Sequence, residues 1–126
     1  MSIPGTTIIR NKKEAKRVLR ILRQLKDRFH AWDTETYDLE IKKEGPVGKG
    51  KILCATAFCG PDIDFGNGPS KRFNLTPIGL FVDNYEDAEG VLNVFTDYFR
   101  SGVHLKVFHN YGFDRHVLFN HGIDVK

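Results

Sequence analysis

The sequence predicts an α/β domain in which helices pack on the faces of a sheet of mixed strand direction, and three observations carry that expectation. Short β-rich stretches alternate with helically spaced apolar residues along the chain. The DFGNG stretch at residues 64–68 is a turn signal between neighbouring antiparallel strands. A length of 126 residues suits one hydrophobic core, so residues 1–126 read as a single domain.

Each element has its own warrant. TTIIR at 6–10 is a short β-rich start. Asn11 followed by Glu14 has the form of a helix N-cap with its reciprocating acid, and Ala15, Val18, Leu19, Leu22 and Leu25 then recur on one side through to about Arg28. In FHAWDTE, the strand period puts Phe29, Ala31, Asp33 and Glu35 on one face and His30, Trp32 and Thr34 on the other. Residues 40–50 hold three Gly, one Pro and several charges and read as a mobile loop. KILCATAFC is nearly continuous in apolar residues, as expected of a strand buried on both sides. Ala88, Val91, Leu92, Phe95 and Phe99 predict another helix, closed by Ser101 and Gly102. LKVF at 105–108 is a short strand, and a last helix runs from about Gly112 to Asn120 before stopping at Gly122.

Composition narrows the function classes. With 40% apolar and 28% charged residues the chain is a folding sequence rather than a disordered one. No stretch approaches the roughly 20 apolar residues of a membrane span, and MSIPGTTIIR lacks an apolar signal-peptide core. The net charge of +3 is unevenly spread: residues 11–28 contribute eight Lys or Arg against Glu14 and Asp27, leaving the remainder at −3. A solvated helix face explains such a run more often than a nucleic-acid groove does. Cys54 and Cys59 lie five apart on a predicted strand, hence on opposite faces, and their spacing fits neither a CxxC redox pair nor a zinc site. They read as small buried thiols. His104, His109, His116 and His121 show no HExxH-like spacing, so surface or structural roles suit them better than a zinc hydrolase does.

Two carboxylates two residues apart on a strand repel each other and are natural ligands for a shared hard cation. An isolated DxE is short and frequent by chance, and taken alone Asp33 and Glu35 are more often solvated strand-edge acids. A second group lies about eighty residues on, in HNYGFDRHVLF, where Asn110 precedes Asp114 by four residues at a strand-to-helix junction. An acid in a first helical turn ordinarily satisfies the helix dipole. The company of a strand-borne DxE lowers the weight of that bland reading of Asp114.

DTET and NYGFD, in that order, resemble the first and second exonuclease motifs of the DEDD-type 3′-to-5′ exonuclease domains of family A DNA polymerases. DTETYDLE, KKEGPVGKGKILC, DFGNG and FHNYGFDRHVLFNHGI resemble in particular the organellar (plastid, apicoplast or mitochondrial) polymerases of plants and plastid-bearing protists. The likeness runs from about Phe29 to Gly122. It implies a ribonuclease H-like fold and a proofreading nuclease that uses two Mg2+ or Mn2+ ions, set roughly 3.5–4 Å apart, to release nucleoside monophosphates from single-stranded DNA 3′ ends. By resemblance Asp33 is the acid shared by both ions, Glu35 a ligand to the ion that activates the attacking water, and Asp114 the anchor of the second ion. Leu39 matches the apolar residue that wedges between the last two bases, while Thr34, Asn110 and Phe113 match positions around the terminal nucleotide. The implied partner in the parent chain is a polymerase domain.

The likeness also has a gap. The resemblance implies that the family's third motif, a Tyr followed four residues later by an Asp, lies beyond residue 126: within the chain Tyr37 and Tyr85 precede no suitable Asp, and Tyr111 belongs to the second motif with Asp114 and Arg115. The 126 residues are therefore expected to be a C-terminally truncated part of the fold. They should bind metal weakly, degrade DNA poorly, and self-associate through uncovered apolar sheet surface. The rival reading is a non-catalytic nucleic-acid-binding domain on the same fold that uses the basic helix. Acids that repel phosphate count against it.

Overall fold

A computed structural model describes residues 5–36, 52–73, 76–108 and 111–125. The Asn11 side chain accepts a hydrogen bond from the Glu14 amide at 2.9 Å and donates to the Glu14 carboxylate at 2.7 Å, a side-chain N-cap that starts α1 (Lys12–Gln24). Ala15, Val18 and Leu22 are buried beneath α1, with Leu19 and Leu25 packed at the margin of the core. α1 follows β1 (Thr7–Ile9) and leads into β2 (Phe29–Thr36) and β3 (Ile52–Phe58). Beyond these come a small hairpin of β4 (Lys71–Phe73) with β5 (Thr76–Ile78), then β6 (Leu80–Asp83), α2 (Thr96–Arg100), β7 (Leu105–Phe108) and α3 (Tyr111–Asn120).

The main sheet has the order β1-β6-β3-β2-β7. β3 runs antiparallel to both β2 and β6, whereas β1 pairs with β6 and β7 with β2 in parallel. This is the mixed sheet with flanking helices that the sequence predicts, and its order and directions accord with a ribonuclease H-like fold. α3 ends at Gly122, whose φ of +77° suits glycine, with the amides of residues 121–123 bonded back to the carbonyls of Leu118 and Phe119.

Three details depart from expectation. The helix expected from Ala88 is broken into 3-10 turns at Glu86–Ala88 and Val91–Phe95, and only Thr96–Arg100 is α-helical. The left-handed Gly90, at φ +90°, interrupts the run. DFGNG does not close a hairpin between long strands: Asp64 accepts from the amides of Gly66 and Gly68, and an isolated bridge joins Asp64 to Pro69. β3 is not sealed on both sides, since Thr56 and Phe58 are only half-buried.

That last point reflects how the sheet is covered. One face carries the core, in which Trp32, Phe95, Tyr98 and Phe99 interlock, with the Trp32 and Phe99 ring centroids 4.9 Å apart. The other face is open among the described residues. Phe29 is paired with Leu105 and Ala31 with Val107, and Phe29, Leu105 and Val107 are 64%, 58% and 48% exposed.

On the covered face His30 is fully buried and has a single consistent protonation pattern. Its Nε2 lies 2.7 Å from the Leu25 carbonyl, which can only accept, so the proton sits there. Nδ1 then accepts from the Tyr98 hydroxyl at 2.6 Å, and the Tyr98 oxygen accepts in turn from the Trp32 indole N–H at 2.9 Å. Burial, followed by the nearby charges of His104, Lys106 and Arg28, pushes the His30 pKa below its ordinary value, against an opposing contribution from the Leu25 bond. Because the unfolded chain binds this proton more readily, the stabilisation is complete above about pH 6.5 and is lost as pH falls toward the lower folded value. The urea midpoint should therefore fall on acidification from pH 7 to 5, and fall less steeply in His30→Leu. Equal slopes in the two proteins would remove His30 from this role.

Candidate active site

Asp33 and Glu35 stand on the open face of β2, while Thr34 between them is buried on the covered face. The Asp33 carboxylate accepts from the Thr34 amide at 3.0 Å. Glu35 is exposed beside the bulge where β2 shifts register against β3. Asp114, in the first turn of α3, is 1% exposed, and its carboxylate accepts a short hydrogen bond from the Thr34 hydroxyl. Thr34 thus touches two of the three predicted acids, one through its backbone and one through its side chain. β2 runs parallel to β7, so the strand end bearing the DxE lies alongside the β7-to-α3 junction that supplies Asp114.

The three acids do not form a closed cage. Among the described residues no three His, Cys, Asp or Glu side chains are grouped so as to share a cation. The Asp33 carboxylate turns to the Thr34 amide and the Asp114 carboxylate to the Thr34 hydroxyl. The donor chemistry nevertheless suits a hard cation, being carboxylate oxygen alone. Leu39 and Asn110 lie outside the described residues, as do residues 40–50, His109 and the side chain of Phe113.

The open face carries one more acid than the sequence reading singled out. Glu35, Cys54 and Asp83 are register partners across β2, β3 and β6, which sets Asp83 in the same row. The alternating burial along LFVD signals that placement, but only the sheet order identifies its neighbours. Asp83 is held by Arg10 at 2.9 Å. Burial, then the carboxylates of Glu35, Asp83 and Asp33, pushes the Cys54 thiol up to about 11, so it stays protonated at neutral pH and is no nucleophile. Burial likewise raises Cys59, to about 12, and both cysteines are free. His116 is exposed, whereas His104 is buried with Nε2 on the Arg23 carbonyl at 3.0 Å.

No protein-family model matches the chain. Known proteins do. The chain is 38% identical over 120 residues to DNA polymerase I A, chloroplastic/mitochondrial, of Arabidopsis thaliana, covering 94% of this chain and 11% of the relative. It is 34% identical over 122 residues to DNA polymerase I B, mitochondrial, of Oryza sativa subsp. japonica, with the same two coverages. The matched region takes in both strand-borne acids and Asp114 only as part of a segment about a ninth the length of those relatives. Over nearly its whole length, the chain is homologous to one segment of the plant organellar DNA polymerase I proteins.

Proposed function

We propose that the chain is part of a metal-dependent 3′-to-5′ exonuclease unit that proofreads DNA within an organellar DNA polymerase. The observation that carries this reading is the bridge through Thr34, which ties the DxE strand to Asp114 across about eighty residues of sequence. The names of the relatives supply the polymerase and the chloroplast or mitochondrion as setting. No helix among the described residues is long and apolar enough to cross a membrane.

In this reading Asp33, Glu35 and Asp114 would hold Mg2+ or Mn2+, and such ions would supply charge stabilisation at the attacking and leaving oxygens of a phosphodiester. The chain's own residues set the stage. Thr34 fixes the Asp33 carboxylate through its amide and positions Asp114 through its hydroxyl. Leu39, Asn110 and Phe113 contribute to holding the terminal nucleotide of a single strand, whose bases accept stacking on apolar and aromatic groups.

The test is a 5′-labelled single strand incubated with a protein carrying both this chain and the third motif. Stepwise shortening from the 3′ end is expected with Mg2+ or Mn2+, and complete arrest with a chelator. The same assay on residues 1–126 alone should show far slower shortening. Binding of the strand without any shortening in either metal would favour the non-catalytic reading instead.

A further inference from the structure

The exposed side of α1 carries cations and little else. Lys12, Lys16, Arg20 and Arg23 fall at intervals of four, four and three residues and so form a single stripe, about 16 Å long at 1.5 Å per residue. Lys13 flanks the stripe and Lys26 extends it past the helix end. All six are exposed, and none makes an ion pair among the described residues, where the pairs engage Arg10 and Arg28. Like charges four apart on a helix repel, and the acid within the helix, Glu14, is turned back to accept from the Asn11 side chain. A face built only for solubility intersperses the two signs. The stripe therefore carries like-charge repulsion that no ion pair among the described residues relieves.

We propose that this stripe is a docking surface for the phosphate backbone of a nucleic acid, separate from the acids on β2. Regularly spaced cations on long side chains match the repeating charge of a polynucleotide. An anionic membrane is the weaker match, because a membrane-surface helix inserts an apolar face and the apolar face of α1 is already in the core. The two surfaces are on opposite sides of the sheet: α1 packs on the covered face, against the turn at Val91–Phe95, while Asp33 and Glu35 occupy the open face. The stripe thus holds a polynucleotide at a distance from the acids and without sequence preference. Cations and carboxylates are kept apart, so that neither neutralises the other.

The experiment measures binding of a fluorescent 20-base-pair duplex by anisotropy with a chelator present, so that hydrolysis plays no part and failure of the nuclease reading leaves the result intact. The wild type should bind in the micromolar to submillimolar range at physiological salt, weakening steeply as salt rises. A variant carrying Lys12→Gln, Lys16→Gln, Arg20→Gln and Arg23→Gln should bind at least about 10-fold more weakly, with a log-log salt slope shallower by about 3. Two exposed cations elsewhere, replaced as Arg100→Gln and Arg115→Gln, serve as the charge control and should change binding less than about 3-fold. Circular dichroism should show both variants folded. Equal weakening by the stripe and control variants would overturn the proposal, as would tighter wild-type binding to phosphatidylserine vesicles or poly-glutamate than to the duplex.

Discussion

Asp33→Ala is expected to lower metal-dependent shortening of single strands by at least about 100-fold in a protein that carries the third motif. Loss of several kcal/mol of charge stabilisation at the reacting phosphate corresponds to two or three decades in rate. Stability should scarcely move. Asp33 is half-buried on the open face, and its one described hydrogen bond is to the adjacent Thr34 amide, a contact worth about 1 kcal/mol. Activity and folding should therefore separate, with urea midpoints nearly superimposed while the rate collapses. Asp33→Asn, which preserves shape and the hydrogen-bond acceptor but removes the charge, should be almost as impaired. Equal rates for wild type and both variants would end the catalytic assignment.

Trp32→Ala should have the opposite profile. Its neighbour Asp33 faces outward, but Trp32 is 2% exposed and contacts Phe95, Tyr98 and Phe99 while donating to the Tyr98 hydroxyl. Removing a buried Trp costs about 3–5 kcal/mol, a large share of the 5–15 kcal/mol that typically separates folded from unfolded domains. Trp32→Phe should recover much of that loss, since it restores ring volume and forfeits mainly the N–H bond to Tyr98. As Trp32 is the only tryptophan, the transitions should be followed by circular dichroism rather than intrinsic fluorescence. A cost below about 1 kcal/mol for Trp32→Ala would mean that the covered face does not pack as described.

Local chemistry was readable wherever a few consecutive residues decide the outcome. The Asn11 cap with its partner Glu14, the alternation of FHAWDTE and the Gly122 stop each depend on residues within a turn or a strand of one another, and each appears in the structure. The break after Ala88 leaves no mark in the sequence, because apolar spacing is nearly the same in 3-10 and α segments and Gly90 looks harmless until its backbone angle is known. The parallel pairing of β1 with β6 joins residues 73 apart and leaves no local mark. The candidate site was legible as a set of acids but not as an arrangement. Nothing in NYGFD shows that Asp114 turns to the hydroxyl of Thr34, or that Cys54 and Asp83 share a row with Glu35.

The two-faced character of β2 has a consequence for how this strand can vary. Its side chains alternate, so an insertion or deletion of one residue between Phe29 and Trp32 would invert everything beyond it, driving Asp33 and Glu35 toward the aromatic core and Trp32 into water. The length of this strand is therefore fixed twice over, once by the aromatic packing and once by the acids. A shift that ruined the site would also unfold the domain, which makes the spacing of the acids as durable as the core itself.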